Sequence, residues 1–164
     1  MAFSTRTRYG LRLLLCLAKL PAGKHLQLNE IGRTEHISSG YLQQIARALR
    51  PMHIISAVRG SNGGYALNRP ASEINMEEVF SYLEGNLSPV RCLNDEPCAR
   101  MDRCSTVNFW KEFDSHVRSF LRSKSLQDIL DSCPQCGQDD LSPIQDLSFV
   151  CPDCKPADSF PQAH

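Results

Sequence analysis

Three evenly spaced cysteines are the first residues in this sequence whose type and spacing suggest a specific chemistry. Cys92, Cys98 and Cys104 have five residues in each interval. Thiolates bind soft metals, and sets of cysteine thiolates hold zinc or iron–sulphur centres. A zinc knuckle typically has only about two to four residues between its ligands, so the wider intervals here favour a loop around a larger cluster. The spacing alone leaves open a set of free thiols or a regulatory disulfide.

Four further cysteines form two close pairs near the end of the sequence. Each pair has two residues between its members and fourteen residues separate the pairs, which comprise Cys133, Cys136, Cys151 and Cys154. Two such pairs can supply four sulphur ligands to one tetrahedral ion, so the pattern predicts a zinc-ribbon-like tail. A short tail with few apolar residues depends on a metal to fold. A rubredoxin-like iron centre and a metal-free tail with reactive thiols are the alternatives.

Length and composition indicate the compartment in which these cysteines act. The 164 residues include eight cysteines, and no uncharged apolar run approaches the about 20 residues of a membrane-spanning helix. The polar start followed by a periodic helix is not typical of a signal peptide. The sequence therefore predicts a cytoplasmic protein, where cysteines serve metals or redox chemistry rather than disulfides. The eighth cysteine, Cys16, falls on an apolar helical stripe and is expected to be a small core residue.

The formal net charge of zero conceals two halves of opposite sign. Residues 1–66 carry nine Lys or Arg and two acidic residues, a net charge of +7. Residues 67–164 carry nine basic and sixteen acidic residues, a net charge of −7. A basic front and an acidic back indicate that only the front approaches a polyanion such as DNA.

The periodicity of the basic half predicts a helix-turn-helix. Apolar residues recur at helical spacing over residues 4–20, and a short helix is expected over residues 29–35 with Asn29 as its N-cap. A third helix is expected from Ser38 or Ser39 to Arg50, where Pro51 stops it. A short helix, a tight turn and a longer helix make up this motif.

A hairpin is predicted directly after the third helix. A β-branched run over residues 54–59 is followed by Asn62-Gly63 and then by a second strand-like run over residues 65–67. An Asn-Gly pair between two such runs is a strong hairpin signal. A hairpin in this position is a wing, so the predicted fold class is mainly α with a small β-hairpin wing.

The outward face of the third helix is suited to DNA contact. Leu42, Ile45 and Leu49 form its apolar stripe, so its other residues point away from the core. In a recognition helix such residues enter the major groove, where glutamine binds adenine edges and serine binds bases or phosphates. Arg59 at the base of the wing is placed to enter a minor groove. The candidate DNA-contacting residues are Ser39, Gly40, Tyr41, Gln43, Gln44, Arg47, Arg59 and Ser61. A winged helix that contacts proteins is the alternative.

The acidic half is predicted to contain a capped helix, a loop and a long helix. Asn75 and Glu78 have the spacing of a capping box, and Gly85 ends the helix that follows. Residues 86–105 are expected to form an ordered loop that is neither helix nor strand. A long helix over residues 106–124 is followed by a shorter helical piece up to residue 131. Its aromatic stripe is either a surface for a second subunit or part of the core.

Three segments of the sequence resemble the Rrf-two family of bacterial regulators. They are the run from Ile37 to Ile45, the wing from Val58 to Leu67 and the opening from Ser4 to Tyr9. The resemblance covers about residues 1–131 and implies a homodimeric winged-helix transcription factor that binds double-stranded DNA, with the long helix as the dimer seam. It divides the chain into a DNA-binding domain (1–85), a cysteine-rich cluster loop (86–105), a dimerisation helix (106–131) and the added tail (132–164).

The same resemblance implies an iron–sulphur cluster held by Cys92, Cys98 and Cys104. One family member adds a histidine three residues beyond the last of these cysteines, but Val107 occupies that position here. Another member adds an aspartate on the first helix, where this sequence has Arg8. A missing fourth ligand favours a 4Fe–4S cluster with one labile iron over a 2Fe–2S cluster. The latter would be completed by Asn108, His116 or a residue of the partner subunit.

The predicted function is therefore a homodimeric DNA-binding regulator whose affinity depends on the state of an iron–sulphur cluster at Cys92, Cys98 and Cys104, which senses iron, redox state or nitric oxide. The alternatives are a redox or electron-transfer protein and a cluster-free regulator that senses oxidants through its thiols. No enzyme is predicted, because the five histidines stand in no recognisable catalytic context and are expected to be surface or capping residues. The signal and the sign of regulation stay open.

Overall fold

The computed structural model describes residues 3–60, 63–94 and 98–132. Its helices and strands are α1 (Thr5–Ala18), α2 (Leu28–Glu35), α3 (Ser39–Leu49), β1 (Ile55–Val58), β2 (Gly64–Leu67), α4 (Met76–Glu84), α5 (Val107–Arg122) and α6 (Leu126–Asp131). Short 3-10 helices lie at Arg50–Met52, Ala71–Glu73, Arg91–Leu93 and Met101–Arg103. The predicted fold class, mainly α with a small hairpin, is confirmed.

A single apolar core joins α1 to the two helices of the helix-turn-helix motif and to α4. Its most deeply buried side chains come from α1, α2, α3 and α4 and include Leu13, Leu14, Ile31, Leu42, Ile45, Leu49 and Val79, all 0% or 1% exposed. Leu121 of α5 and Leu126 of α6 complete it. Full burial of one such side chain contributes about 1.5–3 kcal/mol, so this core holds the recognition helix rigidly against α1.

The N-caps explain where the helices begin. Ser38 caps α3, because its Oγ accepts a hydrogen bond of 3.3 Å from the backbone N–H of Tyr41. The prediction that Asn29 caps α2 is wrong: the helix begins at Leu28, since the Glu30 carboxylate accepts the backbone N–H of Gln27 at 3.0 Å. Reciprocal bonds of this kind move the start of a helix by a residue or two.

At α4, the predicted cap is correct and the predicted capping box is wrong. Asn75 Oδ1 accepts the backbone N–H of Glu77 at 2.9 Å. Glu78 does not reach back to the cap residue, because its two carboxylate oxygens accept bonds of 2.9 and 3.0 Å from Arg69. Both bonds come from Arg69 Nη2, and a hydrogen bond between two charged groups is stronger than one from a neutral backbone N–H.

The wing is an antiparallel pair in which Ile55 lies opposite Leu67 and Val58 opposite Gly64. A third segment extends it, because Leu26 and Tyr65 exchange two backbone hydrogen bonds of 2.9 Å. The backbone of Gly64 approaches this segment so closely that a Cβ there would lie 2.6 Å from the Leu26 carbonyl oxygen. Glycine is therefore required where the wing joins the segment that leads into α2.

We expect Gly64→Ala to lower the free energy of unfolding by about 1–3 kcal/mol, because the backbone must shift to relieve the clash. The matched control is Gly40→Ala. A Cβ at Gly40 would meet nothing within 4 Å. Gly40 lies in a helix, so its replacement should leave stability unchanged or raise it by up to about 1 kcal/mol. Urea denaturation of the two variants measures both values, and equal stability of Gly64→Ala and the parent would contradict the close approach.

The helices α5 and α6 pack against α4 and the residues just before it. The backbone N–H of Met76 donates to the Lys124 carbonyl, and that of Leu126 donates to the Ile74 carbonyl, each at 2.9 Å. Between α4 and α5, the predicted loop contains two 3-10 helices, which corrects the expectation that no helix occurs there. Among the residues that the structure describes, no helix is both long enough and apolar enough to cross a membrane.

Candidate nucleic-acid interface and cysteine loop

The recognition helix α3 presents a polar face to solvent, as predicted. Leu42, Ile45, Ala46 and Leu49 are buried. The exposed residues on the other side of the helix are Ser39, Gly40, Gln43, Gln44 and Arg47. This face carries hydrogen-bonding amides near the N-terminal half of the helix, which is the half that meets base edges in helix-turn-helix proteins.

Tyr41 has a different environment from the other candidate residues of this face. It is half-buried, and its ring packs edge-on against Tyr9 of α1 with 6.0 Å between the ring centroids. Tyr9 in turn lies below two guanidinium groups, with Arg12 at 5.8 Å and Arg8 at 6.0 Å from its ring centroid. The aromatic pair therefore joins α1 to the first turn of the recognition helix.

The wing places Arg59 in solvent immediately after β1. The side chains of Val58 and Arg59 are both exposed, which leaves the edge of the hairpin free to approach a second surface. Ser61, the remaining candidate DNA-contacting residue, lies outside the described residues. An arginine at a wing is suited to a narrow minor groove, where the negative potential is strongest.

Two basic residues next to the recognition helix were missed as candidate site residues. Arg33 lines a shallow depression between α2 and the start of α3, together with Asn29 and Ser39. Arg50 lines a second depression with Arg47 at the other end of α3. Their signal was present in the +7 charge of residues 1–66. Exposed arginines at both ends of a recognition helix are suited to the phosphates that flank a groove.

The three cysteines of the loop are half-buried and form no disulfide. Cys92 lies within a 3-10 helix, and Cys104 follows the 3-10 helix that ends at Arg103. No group of three or more metal-binding side chains comes together within the described residues. The structure thus brings the three thiols into one loop between α4 and α5 but does not gather their sulphur atoms.

Cys104 has a local environment that favours the thiolate. Its Sγ lies 3.4 Å from Thr106 Oγ1. Hydrogen bonds from the side chain and backbone of Thr106, then from the backbone of Val107 at the start of α5, lower the pKa of Cys104, and the charge of Arg100 adds to this effect. The thiolate is the form that binds metals and reacts with oxidants. A cysteine sulphur with a lowered pKa fits an iron–sulphur ligand.

Cys16 is unlike the loop cysteines. Burial and, to a lesser extent, the neighbouring Glu35 carboxylate raise its pKa to about 12. Its thiol packs at the edge of the core, as predicted, and in addition it donates a hydrogen bond of 3.3 Å to Glu35 Oε1. Cys16 is therefore a protonated, unreactive thiol.

The residues considered for a fourth ligand are spread over α1 and α5. Val107 is the first residue of α5, and Arg8 is exposed on α1. Asn108 is exposed, and so is His116, whose Nδ1 lies 2.8 Å from the Glu112 carbonyl oxygen. The tail cysteines Cys133, Cys136, Cys151 and Cys154 lie outside the described residues.

Two other histidines, His36 and His53, end helices with positive φ, as expected of capping residues.

The aromatic stripe of α5 is largely outside the core. Leu121 is the buried residue of this helix, whereas Phe109 is 59%, Phe113 39% and Phe120 61% exposed. The rings of Phe109, Trp110 and Phe113 contact one another, with centroids 5.1–6.4 Å apart. The alternative that this stripe completes the core of its own chain is wrong for the three phenylalanines. So large an exposed aromatic surface is typical of an interaction site.

A helix-turn-helix with an exposed polar recognition face, followed at once by a hairpin wing, defines a winged-helix DNA-binding protein. Comparison with known proteins identifies the particular family. The model of the Rrf2 (Rrf-two) family, described as iron-dependent transcriptional regulators, matches residues 3–132. The chain belongs to the Rrf2 family and is a DNA-binding transcriptional regulator of that family, which confirms the resemblance inferred from the sequence.

Two curated relatives and one solved structure illustrate the relationship. The regulator IscR of Xenorhabdus nematophila is 33% identical over 130 residues, which cover 79% of each protein. CymR of Bacillus subtilis is 33% identical over 129 residues, covering 79% of this chain and 89% of CymR. The solved structure of B. subtilis CymR, described as a global cysteine regulator, has a TM-score of 0.66 and 31% identity over 80% of this chain and 97% of that one. These relatives are named as regulators and not as enzymes, in agreement with the sequence prediction.

Proposed function

We propose that this protein is a homodimeric cytoplasmic regulator that binds double-stranded DNA through α3 and the wing, under the control of its cysteine loop. The observation that carries the proposal is the exposed polar face of α3, with the basic wing directly after it. The α3 residues Ser39, Gly40, Gln43 and Gln44 would face the major groove, Arg47 and Tyr41 the phosphates, and Arg59 and Ser61 the minor groove.

The exposed face of α5 supports a second copy of the chain as the partner. A symmetric dimer places two recognition helices on one side of the assembly, and dimeric helix-turn-helix proteins bind half-sites about one helical turn apart. The phenylalanines Phe109, Phe113 and Phe120 would bury their rings against the partner subunit. Aromatic side chains are enriched in the cores of such interfaces.

The cysteine loop is proposed to hold an iron–sulphur cluster through Cys92, Cys98 and Cys104. When bound, the cluster supplies a group that responds to iron, oxidants or nitric oxide, and a labile fourth corner favours 4Fe–4S over 2Fe–2S. The lowered pKa of Cys104 supports the thiolate ligand that such a site requires.

The position of the loop supports a route from its state to the dimer helix. Arg118 of α5 donates to Asp114 at 2.7 Å, lies 3.7 Å from Glu77 of α4, and has Ser88 Oγ at 3.5 Å, four residues before Cys92. A rearrangement of the loop would thus reach both α4 and α5. A small change there alters the spacing of two recognition helices, and DNA half-sites tolerate little change in spacing.

A cluster-free thiol regulator is the second candidate, and the Cys104 environment also favours it. A thiol with a lowered pKa, in the same loop as two other cysteines, is suited to oxidation and disulfide formation. The similarity to both IscR and CymR supports regulation by metal or by thiols over an electron-transfer protein.

For the tail, we propose a separate zinc site at Cys133, Cys136, Cys151 and Cys154. The tail (132–164) would be a fourth unit, after the DNA-binding domain (1–85), the cluster loop (86–105) and the dimerisation helix (106–131).

The experiment that tests DNA recognition compares Gln44→Ala with Arg59→Ala on a duplex that the parent selects from a random library. Gln44→Ala should lose about 1–3 kcal/mol of binding free energy at one base pair and keep the parent's salt dependence. Arg59→Ala should weaken binding to all sequences and reduce the slope of log K against log salt by about one.

The matched control for the charge is Lys124→Ala, because Lys124 is exposed between α5 and α6 and outside the proposed interface. Lys124→Ala should bind the selected duplex and an unrelated duplex like the parent. If Gln44→Ala and Arg59→Ala also bind the selected and an unrelated duplex like the parent, α3 and the wing do not contact DNA.

A further inference from the structure

Arg12, Cys16 and Glu35 form a polar cluster between α1 and the end of α2 that the DNA-contacting surface does not include. Arg12 Nε donates to Glu35 Oε2 at 2.5 Å, and Arg12 Nη2 donates to the Glu35 backbone carbonyl at 3.0 Å. Cys16 Sγ donates to the other carboxylate oxygen at 3.3 Å. Two side chains of α1 thus bind both carboxylate oxygens of Glu35 and its backbone carbonyl.

Glu35 occupies a sensitive position in the helix-turn-helix. It is the last residue of α2, and three residues separate it from Ser39, the first residue of α3. The first of the three, His36, has φ 54° and ψ 43°, a left-handed conformation that turns the chain. The final carbonyls of a helix lack partners within the helix, so the bond from Arg12 satisfies a group that would otherwise depend on water. A shift of Glu35 would be transmitted to α3 through a very short turn.

The same arginine also reaches the recognition helix by a second route. Its guanidinium lies 5.8 Å from the centroid of the Tyr9 ring, and Tyr9 packs on Tyr41 in the first turn of α3. Arg12 therefore contacts the end of α2 directly and the start of α3 through one aromatic pair. Both contacts lie beside the turn that sets the direction of α3.

The charge of Arg12 is matched locally. The Glu35 carboxylate has only 22% of its side chain exposed and pairs with the guanidinium at 2.5 Å. A paired guanidinium contributes less to the attraction of phosphates than the exposed arginines of α3 and the wing. The planar guanidinium of Arg12 donates several hydrogen bonds in fixed directions and can therefore hold Glu35 in one position. The single ammonium group of a lysine cannot reproduce this arrangement.

We propose that Arg12 is a positioning residue for the recognition helix: by holding Glu35 and Tyr9 it sets the orientation in which Gln43 and Gln44 meet base edges. This inference rests on the proposed role of α3 in DNA recognition. It assigns Arg12 to sequence discrimination and not to general attraction of DNA. Cys16 has the lesser role of second donor to Glu35.

The test measures binding of Arg12→Met, Arg12→Lys and Glu35→Gln to the duplex selected by the parent and to an unrelated duplex of equal length. Arg12→Met should bind the selected duplex at least about fivefold more weakly, because a misaligned amide loses one base contact. Its affinity for the unrelated duplex should change by less than about twofold, and its salt slope should equal that of the parent, because no phosphate contact is lost. Arg12→Lys should resemble Arg12→Met, since it keeps the charge and loses the multidentate bond.

Glu35→Gln preserves the shape of the side chain and keeps the inference testable if Arg12→Met does not fold. It should also lower affinity for the selected duplex, and the double variant Arg12→Met/Glu35→Gln should bind no more weakly than Arg12→Met alone, as partners in one interaction do. The matched control is Lys19→Met, which removes one exposed charge from the end of α1 and should bind like the parent. At Cys16, serine should retain the parent's selectivity better than alanine, because it keeps a donor to Glu35.

Three results would overturn the inference. Equal weakening on both duplexes with a salt slope smaller by about one would make Arg12 a phosphate contact. Parent-like binding of Arg12→Met and Glu35→Gln to the selected duplex would remove the positioning role while leaving DNA recognition by α3 intact. Failure of the parent itself to select any duplex would instead contradict the proposed DNA recognition, and this inference with it.

Discussion

Replacing Phe109 and Phe120 together by aspartate is expected to convert the protein from a dimer to a monomer and to lower its affinity for a two-half-site duplex by about 100-fold or more. The two rings are 59% and 61% exposed in the single chain. In a dimer they would be buried, and a carboxylate placed there would lose its hydration without gaining a partner. Because α5 leaves only Leu121 buried in its own subunit, the change should leave the fold intact.

The matched control for this variant is Ser115→Asp. Ser115 is exposed on the same helix, two residues beyond Phe113 and therefore on the other side of the helix axis. Light scattering after size-exclusion chromatography should show a dimer for the parent and for Ser115→Asp, and a monomer for the double variant. A dimeric double variant would show that the aromatic face of α5 is not the subunit interface.

Each of the substitutions Cys92→Ala, Cys98→Ala and Cys104→Ala is expected to abolish the visible absorption and the bound sulphide of anaerobically purified protein. A cluster with three protein ligands does not survive the loss of one of them in a solvent-accessible loop. Cys16→Ala is the control, because the pKa of Cys16 is raised to about 12 by burial and its thiol is committed to Glu35. It should retain the parent's colour.

The same preparations separate the two modes of regulation. A colourless anaerobic parent with zinc as its metal would contradict the cluster at Cys92, Cys98 and Cys104. In that case the thiol-sensing alternative predicts that peroxide changes DNA affinity in the parent and not in Cys104→Ala. Zinc should be present in either case if the tail cysteines bind it, at one ion per chain.

Local patterns in the sequence were sufficient for the parts of the fold that depend on local interactions. The period of Leu42, Ile45 and Leu49 correctly predicted which face of α3 is buried, because helical spacing alone determines it. Asn75 was recognisable as an N-cap from its residue type, and the cap of α3 was narrowed to Ser38 or Ser39. The start of α2 was missed, because Glu30 forms a reciprocal bond with Gln27 that competes with the cap expected at Asn29.

Interactions between residues far apart in the sequence could not be predicted in this way. Glu78 pairs with Arg69, on the other side of the 3-10 helix Ala71–Glu73, instead of closing a capping box. Arg12 and Glu35 are 23 residues apart, and neither has a neighbour in sequence that signals their contact. The sequence could not decide whether the aromatic stripe of α5 is a subunit interface or part of the core, because that choice depends on how far the phenylalanines are buried in the folded chain.

In the proposed function, the state of the cysteine loop controls the DNA affinity of the dimer. The most direct test is the dissociation constant for the selected duplex, measured anaerobically with one preparation before and after removal of iron and sulphide. We expect a coloured dimer whose dissociation constant changes by about fivefold or more, the range of typical coupling between two sites. Cys92→Ala should give one value under both conditions. Equal dissociation constants for the loaded and the stripped parent would contradict the claim.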